Sequence, residues 1–198
     1  MKVNFLHLQM KRHQFNKILI NAVKASKSKL IIIGSQAFFA ATQSDNIPDI
    51  VELSDEVDVC PEDIEDAEVI ELSAGRGSEV YNKNGVYAHA LEDIDRHMLI
   101  EGWRDRLVPY KIKDGAKRKE YEVLCLSLPD ICLNKLCWGR PKDYDFVSSV
   151  ISGQHIRMEE IELLAGSVQS KYRNILRQNI KKAKGFIRQG KNNSILHH

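Results

Sequence analysis

The chain has 198 residues, 43% of them hydrophobic and 28% charged, with 29 Lys or Arg against 27 Asp or Glu and a formal net charge of +2. This is enough to bury a real core in one domain with a smaller appended piece, and no apolar run approaches the roughly 18 residues that a membrane span needs. The opening MKVNFLHLQMKRHQ lacks the apolar stretch of a signal peptide, so a soluble, cytoplasmic protein is expected.

In chain order, residues 10–26 place Phe15, Ile18, Leu19, Ala22 and Val23 on one helical face. LIIIG at 30–34 predicts a short buried strand ending in Gly, and SQAFFAAT opens a helix that Ser35 could cap. After a loop at Pro48, SDEVDV at 54–59 alternates acidic and apolar residues. As a strand it projects Glu56 and Asp58 from one face and sends Val57 and Val59 into a core. CPEDIEDAEVIELSAG then predicts a helix starting at Pro61, with acids in its first turn.

GVYAHAL (85–91), RLVPYKI (106–112) and YEVLCLS (121–127) predict three more strands. A helix from about Pro129 turns its Leu133, Leu136 and Cys137 inward, and GRPKDYDFVSSVIS (139–152) predicts a turn and a second helix. Two further helices are expected near 157–165 and 168–189. Strands mixed with helices up to residue 152, then helices alone, predict an α/β (α+β) fold: a mixed sheet flanked by helices over 1–152, and a C-terminal helical extension over 153–198. The closing His197 and His198 have the look of a tag remnant. Cys60, Cys125, Cys132 and Cys137 form no CxxC pair, so reduced, mostly buried thiols are expected rather than a zinc or redox site.

The small net charge conceals a division. Residues 49–71 hold eleven Asp or Glu and no Lys or Arg, whereas residues 168–198 hold eight Lys or Arg and no acid. The first stretch favours a cation and the second a polyanion, with a solvated acidic loop and a solvated basic helix face as the plain alternatives. In the tail, Val168, Tyr172, Ile175, Leu176, Ile180, Ala183 and Ile187 share one helical face that should pack on the body or on a second subunit. Lys171, Lys181, Lys182, Lys184 and Arg188 are left for solvent, for RNA, or for the acidic region of another copy in a homo-oligomer.

Two carboxylates side by side on a strand call for positive charge between them, and the strand ending at Gly34-Ser35 offers backbone N–H groups and a hydroxyl where an anion can sit. A phosphate cradle beside a pair of hard oxygen ligands resembles the nucleotidyltransferase superfamily, whose signature is GS or GG at a helix start followed by [DE]x[DE] on a strand. Within it, the chain resembles the uncharacterised bacterial family DUF6036. That family's pattern is a GSQA segment, an S-x-E-x-D strand, a GWxxRLVP segment and a helix pair DLxxxKLxxGRxKDxxF. Here these read GSQA at Gly34, SDEVD at Ser54, GWRDRLVP at Gly102 and DICLNKLCWGRPKDYDF at Asp130, in order across residues 30–151. The family is related to nucleotidyltransferase toxins of bacterial toxin-antitoxin and abortive-infection systems.

The resemblance implies roles. Gly34 would let the backbone approach the triphosphate of an NTP, and Ser35 would hold a phosphate oxygen. Glu56 and Asp58 would coordinate Mg2+. Lys135 would reach phosphates as a mobile charge, Arg140 would grip them with its planar fork, and Asp143 would complete the metal shell or orient Lys135. The plain alternative for the last three is a surface helix pair with an i,i+3 ion pair between Arg140 and Asp143. Trp103 reads as a packing residue, Arg106 as a partner for the acidic strand or for something else, and Tyr144 and Phe146 as helix packing.

Two positions depart from the pattern. Glu56 stands where the superfamily usually has Asp, and His89 stands where a third carboxylate is sought on the next strand. His is a poor ligand for a hard cation, so His89 reads as a general base or, on the plainer reading, as a satisfied buried histidine. Two functions from different classes follow: a magnesium-dependent transferase moving a nucleotide monophosphate from NTP to an acceptor hydroxyl on RNA, tRNA or protein, or a catalytically weakened fold that binds a nucleotide or an antitoxin-like partner as a regulatory module.

Overall fold

The computed structural model describes residues 9–42 and 44–195; the first eight residues of the opening stretch, and His197 with His198, lie outside them. The chain divides into two compact units, Met1–Ile94 with Leu107–Ser127, and Asp95–Arg106 with Leu128–His198. By compactness the helices at 128–152 therefore group with the C-terminal helices, whereas a boundary at 152/153 was expected on sequence.

The first unit carries a five-stranded mixed sheet. Its strands are β1 (Leu30–Ile32), β2 (Glu56–Pro61), β3 (Tyr87–Ala90), β4 (Val108–Asp114) and β5 (Lys119–Cys125), in the order β3-β2-β1-β5-β4. β1 runs antiparallel to β2 and parallel to β5, β2 runs parallel to β3, and β4 and β5 form an antiparallel pair. β1 is buried throughout, as the continuous apolar LII of a central strand should be. Helices α1 (Arg12–Ala25), α2 (Ala37–Ala41), α3 (Asp49–Glu52), α4 (Glu65–Ala74) and α5 (Glu79–Asn84) belong to this unit. α1 buries Phe15, Ile18, Leu19 and Ala22 completely, each contributing on the order of 1–3 kcal/mol, and packs against α4 and β3.

Two expectations fail locally. α4 starts at Glu65 rather than Pro61, because β2 runs on through Pro61, which pairs with Leu30 at the far end of the ladder; a strand end tolerates a residue with no N–H. Ser35 does not cap α2. Gly34 takes φ +71° and the chain turns through Ser35, so Gln36 holds the N-cap position, with no side-chain cap.

The second unit is helical: α6 (Leu128–Trp138), α7 (Pro141–Ser152), α8 (Met158–Leu163) and α9 (Arg173–Ile195). α9 begins five residues later than the periodicity suggests. Val168 instead forms an isolated antiparallel bridge with Ile100, flanked by Glu101 N to Ser167 O (2.7 Å) and Gln169 N to Leu99 O (3.1 Å). The tail face does pack on the body: α9 lies against α6 and α7, burying Leu176, Ile180 and Ala183. Ile175 is turned out, 41% exposed. No described helix is long and apolar enough to cross a membrane.

Candidate active site

In the first unit, alternation along β2 turns Val57 and Val59 into the core and leaves Glu56 and Asp58 half-buried on the other face. The parallel register sets Tyr87 beside Glu56 and His89 beside Asp58. Each acid thereby meets a hydrogen-bonding neighbour. The Tyr87 hydroxyl donates to Glu56 Oε2 at 2.8 Å, and His89 Nδ1 and Asp58 Oδ1 hydrogen-bond at 3.1 Å. His89 is exposed on the acidic face, so the plainer reading of it as a buried histidine is corrected. Strand parity decides the matter, because β3 shows the same face as β2.

Gly34 closes this arrangement from the β1 side. The Ile33 N–H donates to Asp58 O at 3.0 Å, and a Cβ on Gly34 would collide with the Asp58 carboxylate. Only glycine offers both the positive φ and the space. Gly34 and Asp58 are thus brought together, with Ser35 next in the turn, partly exposed, its carbonyl accepting from Phe38 N–H.

Magnesium is the cation that the resemblance implies, and the donor set fits it. Two hard carboxylates two residues apart on a half-open strand face, beside a backbone turn with no side chain, suit an ion that takes one or two carboxylates and completes its shell with water and phosphate oxygens. Among the described residues no three His, Cys, Asp or Glu gather as a metal cage. Glu56 and Asp58 would supply the protein's share of the shell.

In the second unit Lys135, Arg140 and Asp143 also come together. Asp143 is fully buried at the start of α7; its Oδ2 accepts from Arg140 N (3.0 Å) and Nε (2.8 Å), and its Oδ1 accepts from Arg140 Nη2 (3.2 Å) with Lys135 Nζ 3.5 Å away. The i,i+3 pair of the plain reading is present, although its acid is buried rather than on the surface. Lys135 is not a mobile surface charge: its side chain is 10% exposed and its ammonium lies 4.7 Å from the Phe146 ring centroid. Burial pushes its pKa below the ordinary lysine range, opposed by the Asp143 carboxylate. Of the two roles expected for Asp143, orienting Lys135 matches this contact.

Arg106 does not pair with the acidic strand; it makes a two-pronged contact with the fully buried Asp130 on α6, Nη2 to Oδ1 at 2.7 Å and Nε to Oδ2 at 3.0 Å. Asn134 fastens the same segment, accepting from Leu99 N–H and donating to His97 O. Trp103 is buried, with the Arg104 guanidinium over its ring. Sequence reasoning did not single out Tyr87, Asp130, Asn134 or Asn179. Tyr87 was within reach, since Y-A-H in β3 repeats the spacing of E-V-D in β2. All four cysteines are buried, and burial pushes the thiols of Cys125, Cys132 and Cys137 up to about 12, which keeps them protonated.

No curated protein and no solved structure matches the chain. One family model does, that of the nucleotidyltransferases of unknown function called DUF6036, over residues 13–185. That span takes in both the acidic strand of the first unit and the Lys135, Arg140 and Asp143 cluster of the second, and the chain belongs to this family.

Proposed function

We propose that this member of the family is a magnesium-dependent enzyme that transfers a nucleotide monophosphate from NTP to an acceptor hydroxyl on RNA, such as tRNA, or on a protein, in the manner of a toxin from a toxin-antitoxin pair. The observation that carries this reading is the placement of Glu56 and Asp58 on one open strand face, with Asp58 against the side-chain-free turn at Gly34. In the reaction the acceptor oxygen attacks the α-phosphorus, the bond to the β-phosphate oxygen breaks, pyrophosphate leaves and the hydroxyl proton passes to solvent. A magnesium ion held by Glu56 and Asp58 would supply positive charge that offsets the charge developing on the phosphates. Glu56 and Asp58 hold the cation, Gly34 admits the phosphates to within backbone reach, and Ser35 donates to a phosphate oxygen.

For the second unit we propose a phosphate-binding role carried by Arg140, whose side chain is about half exposed, with Lys135 set beside it by their shared partner Asp143. The acceptor's charge is met by α9, where Lys181, Lys182 and Arg188 are exposed while Lys184 is engaged with Glu162 at 2.7 Å. A second reading, a weakened fold that binds nucleotide or an antitoxin-like partner as a regulatory module, is favoured by one observation: His89 occupies the position beside Asp58 where a third carboxylate would stand.

Incubation with each α-labelled NTP, magnesium and either tRNA or a protein extract tests the choice. Transfer of label to one acceptor class, lost with EDTA, supports the transferase. Nucleotide binding without transfer to either class supports the regulatory reading, and neither binding nor transfer removes the transferase together with the nucleotide-binding form of the regulatory reading.

A further inference from the structure

The glutamate at position 56 has one more methylene, and one more rotatable bond, than the aspartate usual at that place. A flexible ligand costs rotamer entropy when it is fixed on a cation. β3 offers a device that offsets this cost. The Tyr87 ring is 8% exposed and lies edge-on to Tyr81, with centroids 5.7 Å apart and planes at 89°. The Arg76 guanidinium covers it at 5.0 Å from the centroid and reaches on to Asp55 Oδ2 at 3.3 Å. A ring held from two sides presents its hydroxyl at a fixed point. That hydroxyl is on Glu56 Oε2 at 2.8 Å, so the contact occupies one carboxylate oxygen and not Oε1.

We propose that Tyr87 is the positioning residue for Glu56: it anchors one oxygen of the longer side chain so that the other is presented as a metal ligand, and Arg76 with Tyr81 keeps the ring in place. The idea rests on the reading above that Glu56 and Asp58 bind a divalent cation. It also accounts for Glu rather than Asp at position 56, since the parallel register sets residue 56 beside Tyr87 and the extra methylene spans the distance to the hydroxyl. Partners of this kind around a metal ligand govern affinity by about 10–100-fold without touching the metal.

The test uses the full chain and Mn2+ alone, with free Mn2+ read by electron paramagnetic resonance. Tyr87→Phe keeps the ring and both its neighbours and removes only the hydroxyl. Mn2+ affinity is expected to fall about 10-fold while the melting temperature stays within a few degrees. Glu56→Asp, which shortens the tethered arm, should weaken Mn2+ to a similar degree, and the double variant should lose little beyond either single change, because both break one contact. Unchanged affinity in Tyr87→Phe, or losses in the double variant that simply add, would overturn the positioning role while leaving the metal reading intact. Absence of Mn2+ binding by the unaltered chain would overturn that reading and this one with it.

Discussion

The two charged clusters of this protein are built on opposite terms. On β2, Glu56 and Asp58 are like charges on a half-open face, Glu56 hydrogen-bonded to Tyr87 and Asp58 to His89. Between α6 and α7, Lys135, Arg140 and Asp143 are unlike charges whose acid is fully buried and satisfied from four directions. The first arrangement costs stability through like-charge proximity, as expected of a binding surface that gives up stability for function. The second holds itself together, and breaking it leaves a charge stranded in a medium that penalises it. On the function proposed above, the first cluster answers mainly to ligand, whereas the burial of Asp143 ties the second to folding.

The largest effect expected from breaking this contrast is on stability in the second unit. Asp143→Ala removes the buried acid and strands Lys135 beside Phe146, at a cost of about 3–5 kcal/mol, whereas Glu56→Gln and Asp58→Asn should change stability by no more than ~0.5 kcal/mol or raise it slightly. Urea denaturation of the three variants measures this. An Asp143→Ala curve that overlays that of the unaltered chain would remove the distinction. Lys135→Ala should fall between these, because Asp143 keeps Arg140 as its partner.

A smaller loss is expected at the one place where the acidic strand meets the fold's geometry. Gly34→Ala would put a Cβ against the Asp58 carboxylate at φ +71°, costing about 1–3 kcal/mol in strain and displacing Asp58. Its thermal unfolding midpoint should drop while that of Ser35→Ala, at the adjacent position in the turn, hardly moves. Equal midpoints for the two would show that the turn has slack.

The smallest effect is a pH dependence at a carboxylate used for structure alone. Asp66 on α4 accepts from the hydroxyls of Ser28 and Ser26 and from the N–H groups of Ser28 and Lys27. These bonds, the Ser28 hydroxyl first, hold its pKa at about 2 against an ordinary 3.8. A carboxylate with a lowered folded pKa adds stability above its unfolded pKa and loses it as pH falls through the folded one. Ser28→Ala should therefore be less stable than the unaltered chain at neutral pH, and the gap should close between about pH 4 and pH 2. A gap that stays constant through that window would exclude the Ser28 contact as its source.

What the sequence made legible follows the range of the forces involved. Alternation in SDEVDV located β2 and its outward acids, because side-chain parity in a strand is local. The β3 partners of those acids depend on a parallel register reached only through the intervening α4 and α5, so Tyr87 passed unnoticed and His89 was read as buried. The Pro61 helix start failed because pairing with Leu30 outweighed the preference of proline for a first helical turn. Lys135 looks mobile in KLCWGRPKD because its burial comes from packing between helices, where it meets Asp143 and Phe146 of α7. Asn179 is hidden for the same reason: in a polar run it looks like surface, yet it is buried, accepting from Tyr144 and donating to Leu136 O. Gly139, at φ +63°, leaves space for that amide, since a Cβ there would strike it.

The central claim is that the acidic face of β2 binds a nucleotide through a divalent cation. Calorimetric titration of the full chain with each NTP, with and without magnesium, tests it most directly, alongside Asp58→Asn under the same conditions. The account predicts binding of at least one NTP that requires magnesium and is weakened about tenfold or more in Asp58→Asn, a loss of at least ~1.4 kcal/mol, with the fold intact. Binding that is the same with and without magnesium, or that survives Asp58→Asn unchanged, would contradict it.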